Sequence, residues 1–123
     1  MDKDIQKPVR WIGSSYNDWK TFPGEVQDVM GYSLYLAQQG KKAGHAKPLK
    51  GFKGASVQEI VDNFDNNAWR AIYTIQFKDV IYVLHAFQKK SKKGIATPKT
   101  DIQLIGQRLK LANEHYETNK TEK

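Results

Sequence analysis

Residues Ala68–Lys99 read AWRAIYTIQF-KD-VIYVLHAFQKKSKKGIATPK, and this stretch sets the architecture expected of the chain. Two runs rich in Ile, Val, Tyr, Phe and Trp flank a Lys78-Asp79 turn, and such side chains suit a pleated, half-buried surface. The first run alternates. Trp69, Ala71, Tyr73, Ile75 and Phe77 fall on one side and Arg70, Thr74 and Gln76 on the other, with Ile72 breaking the polar set. Arg70 is the odd member, a guanidinium inside an apolar strand. It reads either as an Arg snorkelling from a sheet edge or as a phosphate-gripping Arg, with the lysines after Phe87 as its neighbours across the hairpin.

Working outward, Ser56–Asn63 (SVQEIVDN) is a third strand, joined to the Arg70 strand by an Asp65-Asn66-Asn67 turn. Gly40–Gly54 lacks periodicity and reads as a basic loop. Pro23 opens a helix in which Val26, Val29, Met30, Ser33, Leu36 and Ala37 form a buried stripe, and Gly40 ends it. Tyr32, Leu34 and Tyr35 fall off that stripe. Lys7–Ile12 is a short strand, and Ser14 or Ser15 caps a short helix through Trp19 and Phe22. Thr100 and Gln103 form a capping box opening the last helix, whose buried stripe is Ile102, Ile105, Leu109, Ala112 and Tyr116. The expectation is one α+β domain over residues 1–123, with 118–123 a frayed tail. A small antiparallel sheet is packed with helices in the order β-α-α-β-β-β-α.

Charge is confined to patches. The net +7 arises because residues 40–58 carry five lysines (41, 42, 47, 50, 53) and residues 88–100 another five (89, 90, 92, 93, 99), with no acid in either segment. A merely solubilising surface would intersperse the signs, so the field points to a polyanion, and nucleic acid is the common one. Cysteine is absent, no apolar run reaches the roughly 18–20 residues of a membrane span, and MDKDIQKP lacks a secretory apolar core. A cytoplasmic protein is expected. No metal constellation, P-loop, dinucleotide fingerprint or nucleophile elbow is present, so no cofactor is expected. Cations around a sheet can bind RNA, or promote attack of a ribose 2′-hydroxyl on the adjacent phosphate by stabilising charge on its oxygens.

The chain resembles toxins of bacterial type II toxin–antitoxin modules, in the RelE/ParE superfamily and its HigB-like, phage-related branch. The likeness rests on VRWIGSSYNDW near the start, AQQG (Ala37–Gly40), AKPLKGF (Ala46–Phe52), WRAIYT (Trp69–Thr74) and IYVLHAFQKKSKKGIATPKTDI (Ile81–Ile102). It implies a RelE-like fold and a metal-independent, ribosome-dependent mRNA endonuclease whose partners are the ribosome, mRNA and a cognate antitoxin. It implies that Arg70 clamps the scissile phosphate and that Lys89 and Lys90 stabilise the transition state or protonate the leaving 5′-oxygen. It further implies that Lys50 joins the catalytic set as a phosphate contact, and Lys47, Lys53, Lys92, Lys93 and Lys99 are expected to hold RNA. Where better-known members carry paired lysines this chain reads Val57-Gln58-Glu59-Ile60, and Ser91–Lys99 contains no tyrosine. Glu59 and His85 are therefore the candidates for general base. Glu59 otherwise reads as an exposed strand residue or a lysine partner, and His85 as a core histidine on a backbone carbonyl. The same fold also hosts ParE-like gyrase inhibitors, and a non-catalytic RNA-binding or phage-derived interaction protein is the further alternative.

Overall fold

Asp65 and Asn66 both sit at positive φ (55° and 64°), the backbone of a two-residue type I′ turn that Asp and Asn tolerate well. The turn joins β3 (Val57–Phe64) to β4 (Asn67–Thr74) and sets their antiparallel register, with Phe64 opposite Asn67 and Val57 opposite Thr74. The computed structural model describes residues 6–42, 44–52, 56–90 and 97–120, without the side chains of Lys90 and Lys120. The other described elements are β1 (Val9–Trp11), α1 (Ser15–Lys20), α2 (Gly24–Gln38), β2 (Ala46–Pro48), β5 (Ile81–Lys90) and α3 (Lys99–Lys120).

The five strands form one sheet in the order β1-β5-β4-β3-β2, which places β4 at the centre. The α+β class holds, with two corrections. β1 runs parallel to β5, so the sheet is mixed and not purely antiparallel. β2 lies inside the expected basic loop, so the order is β-α-α-β-β-β-β-α. Three residues are too few to show a period, and β2 takes its register from its neighbour, Ala46 opposite Ile60.

Alternation divides the core between two layers. On one face Val26, Met30, Leu34 and Ala37 of α2 pack on Ile60, Ala71, Tyr73, Ile81 and Val83. On the other, Ile105 and Ala112 of α3, with Ile102, Leu109 and Tyr116, cover Val57, Ile72, Tyr82 and Leu84. The alternation expected from Trp69 holds as far as Tyr73; the strand ends at Thr74, after which Ile75 is exposed and Phe77 joins the α3 layer. Leu34 is buried with the α2 stripe, while Tyr32 and Tyr35 stay exposed and stack on each other at 6.3 Å. Pro23 precedes α2 as its N-cap instead of entering its first turn. The Ile102 amide donates to the Pro98 carbonyl at 3.0 Å, so α3 starts at Lys99 and Thr100 lies in its first turn, not at a capping box. Helix continues to Lys120, and residues 121–123 lie outside the described set. Among the described residues no helix is long and apolar enough to cross a membrane.

A bulge interrupts the β4–β5 ladder. Ile72 faces His85 but Tyr73 faces Val83, which leaves Leu84 as the extra residue. The Leu84 carbonyl accepts from Arg108 Nη1 at 3.0 Å, and Arg108 Nη2 reaches the Ser14 hydroxyl at 3.1 Å. Gly13, at φ +59°, lies under this guanidinium, and a Cβ there would come within 2.8 Å of Arg108 Nε. Arg108 thus ties α3, β5 and the β1–α1 turn together.

These contacts make two expectations for stability. Arg108→Ala strips a partner from a part-buried carbonyl and should cost about 1–3 kcal/mol in urea unfolding; an unchanged midpoint would show the tie to be idle. Burial pushes the Tyr73 phenol up to about 12. A folded-state value above the unfolded one gives stability that is complete below pH 10 and lost as pH rises toward 12. Tyr73→Phe should remove up to roughly 2–3 kcal/mol of that alkaline loss, measured as urea stability against pH.

Candidate functional site

The register set by the Asp65-Asn66 turn puts Arg70 opposite Val61 on one side and Phe87 on the other. Glu59 stands two residues from Val61 and shares its face, and it lies in the row Lys47, Glu59, Ile72, His85 across four strands. Arg70 Nη1 donates to Glu59 Oε2, with the two side chains 13% and 5% exposed. A guanidinium and a carboxylate buried this deeply are tolerable only as partners. The pair corrects two expectations. Arg70 does not snorkel from a sheet edge, because β4 is central. Glu59 is neither exposed nor paired with a lysine; it is buried against Arg70.

The approach to α3 adds two polar groups. The Thr97 hydroxyl donates to Glu59 Oε2 at 3.3 Å and accepts from Arg70 Nη1 at 3.5 Å. Asp101, in the first turn of α3, holds His85 Nε2 at 2.8 Å. His85 is buried as the sequence suggests, but its partner is this carboxylate, not a backbone carbonyl. Its ring stacks on Phe87 at 4.7 Å, and its buried Nδ1 has no hydrogen-bond partner among the described residues.

The cations stand around this core. Lys89 is half-buried on β5 opposite Ala68, one row beyond Arg70, and Lys90 comes next opposite Asn67. Lys47 is exposed on β2 opposite Glu59, and Lys50 and Lys99 are exposed. Lys53, Lys92 and Lys93 lie outside the described residues. The sheet therefore gathers Arg70, Glu59, His85 and Lys89 on the face that α3 partly covers, with Lys47 at the end of the Glu59 row. Among the described residues no group of three or more His, Cys, Asp or Glu is placed to hold a metal ion. Sequence reasoning missed Thr97 and Asp101. Nothing in TPKTD marks either one, since both reach the site through the packing of α3.

Chemically, this is an acceptor carboxylate beside a planar donor, with Lys89 and Lys47 on the same face of the sheet. Removing one partner of the pair leaves the other charged and buried, so Glu59→Leu should cost about 3–5 kcal/mol. The double variant Glu59→Leu/Arg70→Met should be more stable than the single one. A double-mutant cycle in denaturant reads the coupling, and additivity of the two changes would show the pair to be uncoupled.

The family model described as Phage derived protein Gp49-like (DUF891) matches residues 17–110. No curated protein matches the chain in sequence. Among solved structures, the free Escherichia coli toxin RelE, in a double arginine-to-alanine form, is similar with a TM-score of 0.52 at 14% identity, over 73% of this chain and 88% of that one. The RelBE2 toxin–antitoxin complex of Mycobacterium tuberculosis gives 0.47 at 16% identity over 74% and 100%, too slight a likeness to carry weight. At such identity the RelE likeness speaks for the fold.

Proposed function

The chain belongs to the phage-derived, Gp49-like family, and from that premise we propose that it is the toxin of a type II toxin–antitoxin pair, an endoribonuclease that cleaves mRNA on the ribosome. The observation that carries this reading is the Arg70–Glu59 pair, a phosphate ligand and a proton acceptor held together on a cation-lined face. The RelE-like fold supports it as well.

In the proposed reaction a ribose 2′-hydroxyl attacks the adjacent phosphorus and the bond to the 5′-oxygen breaks. Glu59 takes the hydroxyl proton. Arg70 keeps one nitrogen on Glu59 and turns others to the non-bridging oxygens, where charge develops. Lys89 or Lys90 stabilises that charge or gives a proton to the leaving 5′-oxygen. The products are a 2′,3′-cyclic phosphate and a 5′-hydroxyl, with no metal in any step. Glu59 is preferred to His85 as the base because its carboxylate lies directly on Arg70, the group that would hold the phosphate, whereas the imidazole Nε2 is held by Asp101. Lys50, Lys47 and Lys99, with Lys53, Lys92 and Lys93, hold RNA or ribosomal RNA. A cognate antitoxin neutralises the basic face, and the protein acts in the cytoplasm.

Primer extension on an mRNA in a reconstituted translation system tests this, with wild type, Arg70→Ala and Glu59→Gln, each with and without ribosomes. Wild type should cut inside codons only when ribosomes are present, and Arg70→Ala should lose about 10²–10³-fold in rate with an unchanged circular dichroism spectrum. A folded Arg70→Ala protein that cuts like wild type overturns the site. Cutting without ribosomes makes the protein a free ribonuclease. No cutting in any lane, with inhibited supercoiling by gyrase, moves it to the ParE-like activity.

A further inference from the structure

We propose that the Thr97 hydroxyl occupies, in the free chain, the position of the attacking ribose 2′-hydroxyl, so that the approach to α3 competes with RNA for the Arg70–Glu59 pair. The inference rests on the proposed cleavage reaction and adds to it an internal competitor and a basis for choosing RNA over DNA.

The hydroxyl satisfies both charged groups at once, donating to Glu59 Oε2 at 3.3 Å and accepting from Arg70 Nη1 at 3.5 Å. A nucleophilic 2′-hydroxyl must make the first of these contacts, giving its proton toward the carboxylate, and its phosphate oxygens then take the place of the threonine oxygen on the guanidinium. Threonine also matches in kind, since its oxygen, like the ribose 2′-oxygen, is carried on a secondary carbon. Both contacts are long, since O–H···O bonds prefer about 2.7–2.8 Å and N–H···O bonds about 2.9–3.0 Å. They are therefore weak, and an incoming hydroxyl that makes shorter ones displaces them. Deoxyribose brings no such oxygen, so DNA gains nothing by displacing Thr97 and binds with the threonine hydroxyl still on Glu59.

The start of α3 holds Thr97 in place. The Asp101–His85 contact at 2.8 Å and the packing of Ile102 and Ile105 fix the first turn of that helix on the sheet. Thr97 itself precedes the helix, which begins at Lys99, and is only half-buried. It can withdraw without unwinding α3.

The test compares wild type, Thr97→Val and Thr97→Ser as full chains. Valine keeps the branched shape and removes the hydroxyl; serine restores the hydroxyl. Cleavage of mRNA by ribosome-bound protein is measured against mRNA concentration. Binding of an RNA oligonucleotide, and of the DNA oligonucleotide of the same sequence, is measured without ribosomes. Losing a competitor held by two weak bonds should lower the half-saturating RNA concentration by about threefold to tenfold. It should tighten RNA binding by a similar factor and DNA binding less, and Thr97→Ser should restore the wild-type values. A fall in kcat for Thr97→Val at constant half-saturation overturns the proposal, because Thr97 would then be positioning Glu59 for the reaction. Unchanged values overturn it as well. If wild type cuts no RNA, the cleavage reading fails on its own, and the binding arm decides about Thr97: a gain confined to RNA upholds the hydroxyl slot, and equal gains on RNA and DNA overturn it.

Discussion

Once Asp65 and Asn66 turn the chain with both residues at positive φ, β3 and β4 pair in a single register, and the rest of the molecule inherits it. That register brings Glu59 diagonally across from Arg70 on the α3 face and sends Ile60, Ala71 and Tyr73 into the α2 layer. A slip of one residue would exchange the faces, exposing the carboxylate to α2 and burying the guanidinium alone. The penalty for an unpartnered buried charge is several kcal/mol, so the ion pair also selects against misregistered sheets. The polar pair has a structural reason to exist as well as a chemical one.

The electrostatics are layered. The centre of the site is a neutral pair, while the cations stand outside it on β2, at the end of β5 and at the start of α3. On the proposed reading, an approaching polyanion would meet the outer lysines first, where water and salt screen each charge. It reaches the central guanidinium only after losing solvent. The first step is long-ranged and indifferent to sequence; the second depends on geometry and desolvation. The bulge at Leu84 serves that geometry, since it directs both Leu84 and His85 toward α3.

Much of this was legible in the chain. The α+β class, the two long strands, the helical stripes and the strand positions of Arg70 and Glu59 come from period and residue type, whereas Lys89, expected beyond the last strand, lies within β5. β2 was not, because three residues inside a glycine-studded segment carry no period of their own. The parallel pairing of β1 with β5 was not, because nothing local to VRW names a partner so far along the chain. Glu59 was visible as a candidate, but its bond to Arg70 was hidden by reading the turn as three residues, 65–67. With Asn67 assigned to β4, the diagonal is immediate. Thr97 and Asp101 depend on how α3 lies across the sheet, which is decided by the fit of Ile102, Ile105 and Ala112, not by local pattern.

The partner of β1 has a consequence for how the molecule comes into being. β1 is made near the start of the chain, yet it pairs with β5, and the turn after it is fastened to α3 by Arg108. Contacts that span so much sequence make folding slow and late, because the closing entropy of a long loop precedes any reward. During synthesis β3 and β4 can meet early, but the β1 edge waits for β5 and the cover over Arg70 waits for α3. The sheet is therefore complete before the helix that covers Arg70 is available.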